Sequence, residues 1–304
     1  MRYYSLNEYL KKTYGCKVYK IALSCEMSCP NRDGTKGYGG CIFCNGSGDF
    51  STKKKASVMK QIDEAIEVVK HKNKGGKYIA YFQSGTNTYA SVQRLSAIFR
   101  RAISHPDVVA LSIGTRPDCL PKNVLKLLEK LNKIKPVWVE LGLQTIHADT
   151  ATYIRRGFDL EEFDKAVKNL SEIGVNVIAH MIIGLPFEDK KMIVETAEYI
   201  GKSGANGIKF HLLHVLSDTD LADAFLKNEF STLSLEEYID ILSDCIKVIP
   251  KDMVVHRLTG DGYKKKLLAP TWSGDKKNAL NKINKAFEIN NIIQGSNYGS
   301  EKST

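Results

Sequence analysis

From residue 18 to about residue 215, short β-branched runs alternate with amphipathic segments, and this alternation restricts the fold more than any other feature of the chain. Candidate strands are Val18–Cys25, Tyr78–Ser84, Val108–Thr115, Val137–Thr145, Val175–Gly184 and Gly207–Val215. Helical patterns fill the intervals at Ser57–His71, Val92–Ser104, Pro121–Lys133, Leu160–Ile173 and Lys190–Lys202. Pro121 suits a first helical turn, and Gly174 suits the left-handed position that closes a helix. Six regular strand–helix units predict an α/β fold with a parallel sheet and outer helices. Six fall short of the eight of a closed barrel, so a partial (β/α)6 TIM-like barrel fits the count. Residues 1–230 are assigned to this barrel. Residues 231–294 read as a short α/β C-terminal extension, with a helix after Ser234, a strand at Met253–Leu258 and a last helix at Asp275–Ile289. The polar tail, 295–304, is expected to be disordered.

The 304 residues, 43% hydrophobic, suffice for a full core. No apolar run approaches the ~18 residues of a membrane span, and Met1–Lys12 is too polar for a secretory signal. Of seven cysteines, an odd number, five fall within the first 44 residues. In a chain without a signal sequence this points to metal binding in a reducing compartment, and so to a cytoplasmic protein. The net charge of +10 is concentrated in residues 53–77 and 260–286, each contributing +5. Such lysine-rich segments suit a polyanion, nucleic acid above all, or a plain solvated surface.

Cys29, Cys41 and Cys44 share one loop after the first strand, and Gly34–Gly48 contains six glycines. Three soft thiolates on one loop suit a metal cluster with one coordination position left open. Glycine supplies the left-handed turns and close backbone approach that wrapping a cluster needs. In such folds the active site lies at the C-terminal ends of the strands. There the second strand gives Ser84, Gly85, Thr86, Asn87 and Thr88, and the fourth puts Glu140, Gly142 and Gln144 on one face. The fifth ends at Gly184-Leu185-Pro186.

The runs Cys-Pro-Asn-Arg-Asp-Gly-Thr-Lys-Gly-x-Gly-Gly-Cys-x-Phe-Cys at 29–44, Tyr-Phe-Gln-x-x-Thr-Asn-Thr-Tyr-Ala at 81–90 and His-Arg-Leu-Thr-Gly-Asp at 256–261 resemble the radical S-adenosylmethionine (SAM) superfamily, and within it the bacterial YhcC/YtqA-type family. The chain is also similar to the radical SAM domain of the Elongator catalytic subunit, with a widened first cysteine gap and an Asp49-Phe50 pair soon after the last cysteine. The resemblance implies a [4Fe–4S] cluster on Cys29, Cys41 and Cys44, and SAM chelating the fourth iron and yielding a 5′-deoxyadenosyl radical. It further implies that Ser84, Gly85, Thr86, Asn87 and Thr88 contact the SAM amino group and that Glu140 and Gln144 face ribose and methionine. Gly184 to Pro186 would border the adenine, and Arg155 or Arg156 would pair with the carboxylate. It suggests modification of an aminomethyl-type side chain on the tRNA wobble uridine, with a flavodoxin or ferredoxin as reductant.

Other readings stay open at this point. The cysteine trio could be a structural zinc knuckle, although only one Cys-x2-Cys pair exists and no histidine is near. Cys25 reads as a buried strand cysteine, because Arg32 occupies the place a Cys-x3-Cys reading would need filled by cysteine. Cys16, Cys119 and Cys245 read as unligated. Glu140 could be an interior ion-paired carboxylate, and no physical argument gives His256–Asp261 a role. The function alternatives are radical chemistry on a small molecule or protein, and a non-catalytic iron–sulfur or zinc RNA-binding protein.

Overall fold

The computed structural model describes residues 2–46, 56–73, 76–260 and 262–299. Asp49 and Phe50, the lysines at 53–55 and 74, Asp261 and the last five residues lie outside them.

Seven strands form one sheet in the order β1-β2-β3-β4-β5-β6-β8, every neighbouring pair parallel. They are β1 (Val18–Leu23), β2 (Lys77–Phe82), β3 (Val108–Thr115), β4 (Val137–Gln144), β5 (Asn176–Ile183), β6 (Gly207–Leu212) and β8 (Val254–Arg257). Helices α2 (Val58–Val69), α3 (Val92–Ile103), α4 (Lys122–Asn132), α6 (Leu160–Glu172), α7 (Lys190–Lys202) and α9 (Leu235–Val248) separate successive strands, with the short α5 (Ala148–Tyr153) before α6. Side-chain oxygens of Ser57, Ser91, Asp189 and Ser234 accept from the third residue onward and start their helices.

The seventh strand corrects the expected six. It comes from the segment assigned to the extension and pairs with β6 as an edge strand of the open sheet. A further pair, β7 (Val215–Leu216) and β9 (Leu267–Ala269), runs antiparallel, with α8 (Asp220–Leu226) between them and α10 (Lys276–Ile289) closing the fold. Residues 296–299, expected to be disordered, fold back instead. Asn297 N donates to Lys247 O at 2.9 Å and Tyr298 O–H to Gly201 O at 3.4 Å.

The sheet curls, because side chains of strands far apart in its order meet. Lys20 of β1 pairs with Glu140 of β4, Lys209 Nζ of β6 donates to Tyr81 Oη of β2 at 3.2 Å, and Lys20 Nζ lies 3.4 Å from His256 Nδ1 of the opposite edge strand. Strand alternation divides the interior into layers, as in complete barrels. At the N-terminal ends Val18, Ile79, Ala110, Trp138 and Ile178 make an apolar floor. A helix absent from the sequence reading, α1 (Leu6–Tyr14), plugs it with Leu10 and with Tyr9 edge-on to Trp138 at 5.9 Å. Above the floor lies a charged layer, and above that Ala22, Gly114 and Gly142 leave room beneath the C-terminal mouth. The opposite face of the sheet, Leu23, Phe82, Ile113, Leu141 and Phe210 among others, packs under the helices as the main core. No described helix is long and apolar enough to cross a membrane.

Candidate active site

The cysteine loop leaves β1 at the mouth and is built around Arg32. Cys29 O accepts from Arg32 N at 2.7 Å and Asp33 N at 3.2 Å, and Cys41 O accepts from Cys44 N at 2.9 Å. The Arg32 guanidinium donates to Cys44 O and passes between two left-handed glycines. A Cβ on Gly40 would stand 2.8 Å from Arg32 Nε, and one on Gly46 2.7 Å from Arg32 Cζ. The positive φ of both positions favours glycine there, and a side chain at either would displace the Arg32 guanidinium.

The loop is then fastened to the strand ends. Asn31 Nδ2 donates to Arg155 O at 2.7 Å and Arg156 O at 3.0 Å, and lies 3.7 Å from Cys41 Sγ. Lys36 pairs with Asp118 at 2.7 Å, and Asp118 takes both Nε (2.9 Å) and Nη2 (2.8 Å) of Arg116. Thr86 N reaches back to Ser28 O at 3.2 Å. Asn31 and Lys36 were given no role from the sequence, and Arg116 and Asp118 only marked the end of the third strand. The available signal was an Arg–Asp pair two residues apart directly after a strand.

Cys29 and Cys41 are half-buried and Cys44 is exposed. Burial, then the neighbouring Cys44, pushes the Cys41 thiol up to about 11, with Cys29 adding to the effect. The three sulfurs thus sense one another, and the positive charges of Arg116 and Arg156 lie near Cys41. Among the described residues no three His, Cys, Asp or Glu side chains converge tightly enough for a single metal ion. The all-sulfur donor set, the Asn31 donor and the cationic surroundings fit an iron–sulfur cluster. Cys25 is buried with its Sγ 3.0 Å from Asn87 Oδ1, and Cys119 Sγ faces Asp118 Oδ1 at 3.7 Å.

The expected cofactor contacts divide into two groups. Ser84 and Gly85 are exposed at the mouth in left-handed backbone, and a Cβ on Gly85 would lie 2.6 Å from Met27 O. Thr86, Asn87 and Thr88 are buried. Asn87 Nδ2 donates to Gly114 O at 2.8 Å, and Thr88 Oγ1 donates to Cys119 O at 2.6 Å. The side chains of Asn87 and Thr88 hold the loop. Gln144 stays at the mouth. Its φ of 72° follows a register shift in β4, and its Nε2 would lie 2.7 Å from a Cβ on Gly142. A non-glycine residue held so costs about 1–3 kcal/mol, a strain that clusters at ligand sites.

Between the two arginines the structure distinguishes clearly. Arg156 is buried, donates to Thr145 O at 2.6 Å and Phe158 O at 3.1 Å, and stacks on Phe158. Arg155 is the solvent-reachable one, ion-paired with Asp220 of α8 and 3.7 Å from where a Gly39 Cβ would stand. Gly184 has a φ of 89°, but Leu233 fills the space beside it, 3.0 Å from a would-be Cβ, and Pro186 is buried. The exposed side chain of that loop is Phe187, edge-on to Tyr153 at 5.0 Å.

Glu140 does not face the mouth, which corrects its assignment to the cofactor. Its side chain is fully buried, with Lys20 and Ser112 on Oε1, and Lys209 and His180 on Oε2. Burial opposes the charge, yet the two lysines hold the carboxyl well below its usual range. Burial, then the charge of Lys209, takes His180 from 6.5 down to about 4. His211 and His256 are driven well below 6.5, again by burial first. These imidazoles are neutral in the fold, so the unfolded chain binds more protons between pH 4 and 6.5. Stability is therefore expected to fall as pH drops from about 6.5 towards 4. His180→Asn should flatten that part of a urea-unfolding pH series by about one proton. An unchanged slope would show that His180 titrates alike in both states.

Residues 33–200 match the family described as the Radical SAM superfamily, and 205–288 match the Radical_SAM C-terminal domain. The chain is 43% identical over 296 residues to the protein YtqA of Bacillus subtilis, covering 97% of this chain and 92% of that one. A Methanocaldococcus jannaschii protein named tRNA uridine(34) acetyltransferase is 32% identical over 158 residues, 50% of this chain and 28% of its own length. In fold, the chain is similar to the Elp3 structure from Methanocaldococcus infernus, with a TM-score of 0.70 and 19% identity over 91% of this chain and 64% of that one.

Proposed function

The chain belongs to the radical SAM superfamily, and within it to the family of YtqA; we propose that it modifies an aminomethyl-type side chain on the wobble uridine of tRNA. As in that superfamily, it is an enzyme whose cofactors are a [4Fe–4S] cluster and SAM. Bound together they supply one-electron cleavage of SAM and hydrogen abstraction from substrate; the protein holds, orients and shields them. Cys29, Cys41 and Cys44 would hold the cluster. Ser84, Gly85, Gln144 and Arg155 offer the open polar groups around it. A flavodoxin- or ferredoxin-type donor would supply the electron.

The observation that carries the tRNA reading is the 32% identity to a protein named for tRNA uridine 34. Because this chain spans 28% of that protein, its acetyltransferase activity is not transferred. Surface charge supports a nucleic-acid partner: Lys60, Lys70 and Lys72 on one segment and Lys264, Lys265, Lys277, Lys282 and Lys285 on the other are exposed. Mass spectrometry of tRNA nucleosides from a deletion strain should show one modified wobble uridine lost and its precursor accumulated. Binding of purified tRNA should weaken steeply with salt, as contacts to phosphates require. An unchanged nucleoside profile would rule this substrate out.

A further inference from the structure

Of the seven described non-glycine residues with a left-handed backbone, five lie around the barrel mouth. Glu26 follows β1, Ser84 follows β2, Gln144 ends β4, Arg155 follows α5 and Phe187 follows β5. The other two, Asn228 and Asn291, are asparagines just past helix ends, where that conformation is at home. Phe187 is the one the fold itself does least to explain. Its φ of 67° is rare for a bulky side chain. The residue is 67% exposed, so burial does not offset the strain. Among the described residues, no other large apolar side chain so exposed has such a backbone. Its ring contact is with Tyr153, edge-on at 5.0 Å, and that contact occupies at most one face of the Phe187 ring.

The pair is firmly supported beside the site. Tyr153 packs on a small apolar cluster at the mouth that includes Ile154 and Leu185, and Ile42 and Phe43 of the cysteine loop pack on the same cluster. Ile42 N donates to Ile154 O at 3.2 Å, which ties the cysteine loop to α5. A strained ring, held out to solvent on a rigid base beside a reaction site, suits a planar ligand. Unpaired RNA bases are recognised in this way, by stacking on aromatic side chains.

We infer that Phe187, backed by Tyr153, stacks on an unpaired base of the RNA next to the uridine that enters the barrel. The inference rests on the tRNA reading proposed above and assigns RNA positioning to the loop between β5 and α7. Drawing one base out of its stack leaves its neighbours without a partner on that side. A ring at the rim restores one of those contacts. The adenine of SAM offers a similar flat face, so the test carries both molecules.

The test uses cluster-loaded full-length protein, a tRNA anticodon stem-loop and SAM, with Phe187→Ala, Phe187→Leu and Phe187→Trp. Affinity for the stem-loop should fall about fivefold or more in Phe187→Ala and Phe187→Leu, and Phe187→Trp should keep it. The plot of log affinity against log salt should keep its slope in every variant, because a stacking ring displaces no counterions. Affinity for SAM should not change. If Phe187→Leu binds the stem-loop as tightly as the unaltered protein, stacking is wrong. If Phe187→Ala loses affinity for SAM and not for RNA, the ring belongs to the cofactor and the inference fails. If the unaltered protein binds the stem-loop and Phe187→Ala binds it equally, the inference falls and the tRNA reading stands. If the unaltered protein does not bind the stem-loop, both fall together.

Discussion

Cys41→Ala is expected to leave the anaerobically reconstituted protein without iron–sulfur absorbance and to reduce its cleavage of SAM to background. Cys29→Ala and Cys44→Ala should do the same. Each removes one of only three thiolates, and nothing adjacent can replace it. Cys25 is committed to Asn87 at 3.0 Å and Cys119 faces Asp118 at 3.7 Å. Cys25→Ala is the informative control. It removes a buried thiol that burial pushes up to about 11 and that serves as packing. It should therefore lose some stability and keep its iron. If Cys25→Ala loses the cluster while Cys41→Ala retains it, the ligand set has been misassigned. Iron content and thermal unfolding, measured on the same samples, separate loss of a ligand from loss of the fold.

The parts of this site that the sequence exposed are those carried by spacing and period. The thiol trio and the glycine run were visible because a cluster loop demands both. Five of the six expected strands were visible almost to their ends, as β-branched runs between helical stripes. The sixth, read as Gly207–Val215, divides into β6 and β7 at His214. The seventh was read as a strand but not as part of the sheet. It has only four residues and ends in His256-Arg257, which resembles a surface strand until a register shift against Ile208 and Lys209 sets His256 Nδ1 3.4 Å from Lys20 Nζ and Arg257 opposite Lys209. The first helix carried its signals, with Ser5 as cap, Leu6, Tyr9 and Leu10 on one stripe and the left-handed Gly15 at its end. They went unread because a polar start draws attention away from a role as the barrel's plug. The loop after β2 misled for a different reason. Small hydrogen-bonding residues beside a site serve a ligand or the backbone equally well, and only the positions of Gly114 O and Cys119 O decide for Asn87 and Thr88.

Glu140 misled most, and replacing it should have the largest effect on stability. A carboxylate facing a barrel interior reads as a ligand wall unless its counter-charges are recognised. Those were present as Lys20 in Tyr-Lys-Ile and Lys209 in Ile-Lys-Phe, single lysines in the middle of apolar strands. In the folded chain they converge on it from β1 and β6. Glu140→Gln keeps the shape and removes the charge, leaving both lysines buried without their counter-ion. Breaking a buried pair in this way costs about 3–5 kcal/mol, a large share of the ~5–15 kcal/mol that holds a typical domain together. Urea unfolding should show a lower midpoint with an unchanged slope. The sign of the pH dependence identifies the cause. Lys209 in the fold has a pKa brought down to about 7 from 10.5, so the unfolded chain binds more protons above pH 7. As pH rises past 7 the folded Lys209 sheds its charge, and the deficit of Glu140→Gln against the unaltered protein should shrink. A deficit that stays constant from pH 6 to 9 would mean that lost hydrogen bonds, and not stranded charge, set its size. A midpoint equal to that of the unaltered protein would remove the ionic layer from the list of what holds this barrel together.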